Sequence, residues 1–133
     1  MAGAVEWYRK AALQGHPYAQ YNLGRMYHFG EGVKKDKKEA TKWYRKAAEN
    51  GNAEGQVALG YMYDSGEGVR KNKKEAVKWF RKAAENGSDE GQSSLGYMYY
   101  HGVGVEKDKK EAMKWFRKAA EQGLAKGQTN LGC

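Results

Sequence analysis

Residues 40–51 read Ala40-Thr41-Lys42-Trp43-Tyr44-Arg45-Lys46-Ala47-Ala48-Glu49-Asn50-Gly51, and the chain writes this text almost four times. It returns from Ala76 to Gly87 and from Ala112 to Gly123, and an earlier version runs from Ala4 to Gly15. The tryptophans mark the beat: Trp7, Trp43, Trp79 and Trp115 stand 36 residues apart. A fixed period of this length is the signature of a stacked repeat array rather than of a single globular core.

Ala40, Trp43, Tyr44 and Ala47 fall at i, i+3, i+4 and i+7, which is one apolar face of a helix, called helix B. Asp36…Glu39, Asn72…Glu75 and Asp108…Glu111 precede it with the spacing of a capping box, in which the glutamate reaches back to the cap. Gly51, Gly87 and Gly123 are placed to close it. A second pattern, helix A, is expected over about 17–29, 53–65, 89–101 and 125–132, with Asn52 and Ser88 as N-caps and Pro17 at the first helical position. Loops follow it: Gly30-Glu31-Gly32-Val33, Gly66-Glu67-Gly68-Val69 and Gly102-Val103-Gly104-Val105. A two-helix unit cannot cover its own Trp and Tyr rings, each able to bury roughly 150–250 Å², so neighbouring repeats must do it. Gly55, Gly91 and Gly127 sit inside helix A where the first copy has Ala19, so either residue is expected to be tolerated there.

The 133 residues carry a formal net charge of +8, which draws acidic partners by long-range steering. Eighteen glycines against one proline would suit a linker, but the glycines recur at fixed places in the period and punctuate it. The lone cysteine, Cys133, allows no intrachain disulfide and is a poor nucleophile candidate at a frayed end. No apolar run reaches about 18 residues, so no membrane insertion is expected. The first residues, Met1-Ala2-Gly3-Ala4, lack the apolar core of a signal peptide, so none is expected in this stretch. The reading for this stretch is cytoplasmic, and the compartment of a parent protein, secreted or periplasmic included, stays open. The chain starts and stops midway through a repeat, as a fragment of a longer array would. Its division is 4–15, a lone helix B; 16–51, 52–87 and 88–123, full repeats; and 124–133, a partial helix A.

The pattern Leu23-Gly24…Met26-Tyr27…Gly30…Gly32-Val33, followed by Ala40…Trp43-Tyr44…Ala47-Ala48…Gly51, resembles the Sel1-like repeat, a relative of the tetratricopeptide repeat. The match covers essentially everything after Gly3. The resemblance implies an all-α fold, a right-handed α-α superhelix (solenoid) with helix A on the concave side. It also implies a non-enzymatic scaffold or adaptor that binds other proteins. One cysteine-rich branch is linked to β-lactams. That branch carries paired cysteines in each repeat, which this chain lacks, so the activity is not carried over.

No cofactor or metal site is expected. His16, His28 and His101 have no Cys, Asp or Glu at metal-ligand spacing, and no Ser-His-Asp or Cys-His set is visible. The glycine loops follow helices rather than strands and lack a Gly-Lys-Ser/Thr ending, so they read as turns, not phosphate cradles. Lys37, Lys38, Lys42 and Lys46 alternate with Glu39 and Glu49 as on a solvated face. A nucleic-acid or polyanion binder using that face and the loop residues Lys34, Lys35, Arg70 and Lys71 is the alternative reading, though no nucleic-acid motif accompanies them.

The informative contrast is internal. Leu59, Gly60, Met62 and Tyr63 repeat in each copy and face the core. Other helix-A positions change: Tyr21, Asn22, Arg25, His28 and Phe29 in the first copy, Val57, Ala58, Tyr61, Asp64 and Ser65 in the second, Ser93, Ser94, Tyr97, Tyr100 and His101 in the third. At 100° per residue these lie opposite the core. Tyr and Arg are the residues that anchor interfaces. The candidate binding stripe is therefore Tyr21, Arg25, His28, Phe29, Val57, Tyr61, Asp64, Tyr97, Tyr100 and His101, for a protein or peptide partner. Self-association through the array ends is a further possibility.

Overall fold

The computed structural model describes the backbone of residues 2–130 and the side chains of residues 3–123. Seven helices and no strand occur among them: α1 (Ala2–Leu13), α2 (Pro17–Phe29), α3 (Lys37–Glu49), α4 (Ala53–Ser65), α5 (Lys73–Glu85), α6 (Asp89–His101) and α7 (Lys109–Asn130). Each packs on its sequence neighbours, and in addition α2 touches α4 and α4 touches α6. Helices α2, α4 and α6 are thus the inner row of the solenoid, and the tryptophan-bearing helices form the outer row. Residues 131–133, part of the expected last helix A, lie outside the described residues.

Local chemistry sets the helix starts. The Asp36 carboxylate accepts from the Lys38 and Glu39 backbone amides at 3.1 Å. Asn72 and Asp108 repeat the bond to Glu75 and Glu111. Asn52 and Ser88 cap α4 and α6 through the Gly55 and Gly91 amides. Gly30, Gly66 and Gly102 end the inner helices with φ of 73°, 76° and 67°, a left-handed conformation that costs glycine little.

Three local expectations are corrected. The capping glutamates do not reach back. The Asp36 amide already donates to the Tyr27 carbonyl at 2.8 Å, so the Glu39 carboxylate instead accepts from Trp43 Nε1 at 3.1 Å. Glu111 and Trp115 repeat that bond. The outer helices are capped at Asn50 and Asn86, with Gly51 and Gly87 one residue beyond at φ 88°. Finally, α7 runs through Gly123, where a stop and a new helix were expected. The two inner turns end on Asn52 and Ser88, which cap the next helix, whereas the third offers Leu124, which has no side-chain acceptor.

The core is built between repeats. Trp43 packs with Val5, Ala12, Ala19 and Leu23 of α1 and α2. Trp79, Phe80, Leu59, Met62, Leu95 and Met98 share the larger cluster. Trp7, with no earlier repeat over it in this chain, is 64% exposed. Tight alanine–glycine contacts let the helices close. A Cβ on Gly55 would stand 2.7 Å from Ala47 Cβ and 3.0 Å from the Ala48 amide nitrogen, and one on Gly91 would meet Ala83 and Ala84 likewise. The tolerance inferred from Ala19 therefore does not extend to the inner junctions.

Candidate partner-binding face

Positions 54, 57, 58 and 61 of α4 succeed one another at helical spacing, and 21, 25 and 28–29 do the same on α2. The inner row brings these two faces together with the start of α6. Between them lies a hollow of about 330 Å³ walled by Tyr21, Arg25, Phe29 and Tyr61, with Glu54, Ser88 and Glu90 also on its lining. The Arg25 guanidinium sits 6.0 Å from the ring centroids of both Tyr21 and Phe29, a double cation–π contact that holds it in place. Burial pushes the Tyr21 hydroxyl up, and Arg25 opposes that shift while Glu54 and Glu90 add to it.

A second hollow of about 370 Å³ continues along the row, lined by Tyr61, Phe80, Ser93, Ser94, Tyr97 and others. The Tyr61 hydroxyl lies 3.2 Å from Ser94 Oγ. Tyr97 packs on His101 at 4.4 Å, and Tyr100 meets the same imidazole at 5.1 Å. Phe29, Tyr61 and Tyr97 are 56%, 46% and 55% exposed, and Tyr18 of α2 and Tyr100 of α6 are exposed as well, so each inner helix presents at least one large ring to solvent.

The row His28, Asp64 and Tyr100 is engaged by its own chain, at the start of the following outer helix. His28 Nδ1 lies 3.0 Å from the Tyr44 hydroxyl, with Glu67 Oε2 3.9 Å from its Nε2. Burial lowers the His28 pKa, the Glu67 carboxylate opposes that shift, and Lys37 and Lys35 reinforce it. Lys37 Nζ donates to Glu67 at 2.7 Å, and this bond holds the Glu67 carboxyl below the usual range. Burial raises the Tyr44 phenol well above its ordinary value. Asp64 receives two bonds from Lys73, to its carboxylate at 2.6 Å and its carbonyl at 2.9 Å. Lys109 lies over the Tyr100 ring at 5.5 Å.

Val57 corrects the stripe: it is only 6% exposed and belongs to the core cluster, forming the floor of the first hollow. The inner helix α4 packs on α3, α5, α2 and α6, so its solvent arc is narrower than half a turn. The sequence reading missed Glu54 and Glu90, which share Tyr61's hollow; their i, i+7 spacing to Tyr61 and Tyr97 was the available signal. It also missed Gln20, Gln56 and Gln92, buried polar residues that tie three helices together.

On the outer row, Lys42 and Lys46 lie over the Trp43 ring at 5.3 and 5.7 Å, and the same pairs cover Trp79 and Trp115. These lysines shield their own indoles, and Lys42, Lys78 and Lys114 also pair with Glu39, Glu75 and Glu111. Among the described residues no group of three His, Cys, Asp or Glu side chains is placed to hold a metal, and no helix is long and apolar enough to cross a membrane.

The Sel1 repeat family model matches residues 2–16, 17–52, 53–88 and 89–124, and the chain belongs to that family. Sel1 repeat proteins are generally protein-interaction scaffolds on a typically non-enzymatic fold. The structure is similar to a protective antigen of uropathogenic Escherichia coli with an SLR fold (TM-score 0.89, 50% identity, 92% of this chain). It is similar also to a Sel1 repeat protein of Oxalobacter formigenes (TM-score 0.84, 44% identity, 90% of this chain). Helicobacter pylori cysteine-rich protein B aligns at TM-score 0.73 and 29% identity over 91% of this chain and 86% of its own. The chain spans 26% of the Escherichia coli antigen and 49% of the Oxalobacter protein. Among curated proteins, none matches the chain.

Proposed function

We propose that the inner face of α2, α4 and α6 holds a segment of a partner protein, with Tyr61 and Tyr97 as anchors and Arg25 as a carboxylate contact. One observation carries this reading: Phe29, Tyr61 and Tyr97 stay exposed along the inner row while Leu23, Leu59, Met62, Leu95 and Met98 are buried. Rings in hollows of this kind are the groups that dominate interface energies. The lysines of the outer row have structural work over the tryptophans, which weighs against a polyanion footprint there. The test compares partners captured by the unsubstituted chain with those captured by its Tyr61→Ala/Tyr97→Ala variant. Loss of specific partners at an unchanged melting temperature is expected; unaltered capture overturns the assignment.

A further inference from the structure

The structure treats its charges unequally. At the edge of the inner face, Asp64 is held by Lys73 at 2.6 Å and Glu67 by Lys37 at 2.7 Å. On the outer row, Glu39, Glu75 and Glu111 each meet a lysine. Among the described residues, Glu54, Glu90 and Arg25 join no ion pair, yet all three line the same aromatic hollow. Carboxylates in a first helical turn are favoured by the helix dipole. That preference does not explain why both face one hollow, and the first copy has Tyr18 at the same place.

Resting on the reading above, we propose that the segment held in this hollow carries both charges around an apolar side chain, a lysine or arginine against Glu54 and Glu90 and a carboxylate against Arg25. The spacing follows from the helices. Glu54 and Glu90 occupy the second position of α4 and α6, and Arg25 the ninth position of α2. Seven residues of helix rise about 10 Å. Packed helices lie about 8–10 Å apart, so the diagonal from Arg25 to Glu54 is about 14 Å. An extended segment covers it in about four residues, so its basic and acidic side chains stand about four apart. The residue between them lies over Val57 between the Tyr21 and Tyr61 rings. The net charge of +8 steers in segments that are acidic overall. The two glutamates then set their direction along the groove.

A displayed library of random linear dodecapeptides, selected on the immobilised chain, tests this. Enriched sequences should share a basic and an acidic residue about four apart around an apolar one. Their affinity should fall about tenfold on Glu54→Gln/Glu90→Gln and on Arg25→Gln, a loss in the range of charge pairs at interfaces. All three residues are exposed, and an unchanged urea midpoint verifies that the variants fold. Enriched sequences that ignore the charge variants but are lost on Tyr61→Ala/Tyr97→Ala overturn the charge assignment and leave the groove standing. Sequences indifferent to every variant, or no enrichment at all, overturn both.

Discussion

Asn86 Nδ2 donates to Gln56 Oε1 at 3.0 Å, and Gln56 Nε2 in turn donates to the Ala48 carbonyl at 3.2 Å. One buried amide thereby joins α3, α4 and the end of α5. Asn50–Gln20–Ala12 repeats the relay, and Gln122–Gln92–Ala84 repeats it with a longer side chain. Gln56→Ala should lower stability by about 1–3 kcal/mol, because it removes both bonds of this buried amide, while the Ala48 carbonyl keeps its bond from the Gly51 amide. Asn86→Ala, at an exposed position, should cost about 1 kcal/mol or less. Urea unfolding midpoints of the two variants check the order.

Gly55→Ala separates packing from propensity. In an open helix, alanine would be favoured by about 0.5–1 kcal/mol. Here the new methyl would meet Ala47 Cβ at 2.7 Å and the Ala48 amide nitrogen at 3.0 Å. The helices must part, and overpacking of this kind costs about 1–3 kcal/mol. A lowered thermal midpoint is expected; a raised one would show that α3 and α4 yield easily.

Trp79→Ala and Trp7→Ala make the same chemical change in different surroundings. Trp79 is 4% exposed, and its loss should cost about 3–5 kcal/mol. Trp7 is mostly exposed, so its replacement in this chain should lie within about 0.5 kcal/mol of neutral. Chemical denaturation of both variants reads the contrast.

The Tyr44–His28–Glu67 network sets a pH dependence. The folded-state pKa of His28 is lowered, so below 6.5 the unfolded chain takes up a proton that the folded chain resists. Stability from this site is present above pH 6.5 and declines as pH falls below it. Glu67 has the same sign at lower pH: its depressed carboxyl contributes above the unfolded value of 4.5 and loses that contribution as pH falls through the folded pKa. An NMR titration of His28 should give a midpoint below 6.5. His28→Gln should flatten the stability profile between pH 7 and pH 5.

Much of this architecture was legible because repeat proteins write local rules several times. Asp36, Asn72 and Asp108 cap their helices through amides two or three residues away, and Gly30, Gly66 and Gly102 end theirs through their own φ. Such signals need no tertiary context. Glu39 was misread because the amide it was expected to reach is taken by the Tyr27 carbonyl, which helix periodicity does not reveal. Gln56 and Val57 were missed for a related reason. A polar residue is read as exposed, and a half-turn rule gives an inner helix more solvent arc than four neighbours leave it. Gly123 shows the limit of a local stop signal: without a cap at Leu124 the helix continues. On the candidate face, Tyr61, Tyr97 and Arg25 were legible as departures from the repeat. Glu54 and Glu90 were not, because first-turn acids are ordinary until three helices bring them to one hollow.

The central claim is that the inner row, not the lysine-rich outer row, binds the partner. Calorimetric titration of one purified partner against two variants of equal thermal midpoint tests it most directly. One is Tyr61→Ala/Tyr97→Ala and the other Lys42→Gln/Lys78→Gln/Lys114→Gln. The account predicts at least about a tenfold loss of affinity for the first, in the range of hot-spot aromatics, and an affinity within about twofold of the parent for the second, as for peripheral contacts. Full affinity in the tyrosine variant with loss in the lysine variant would contradict it.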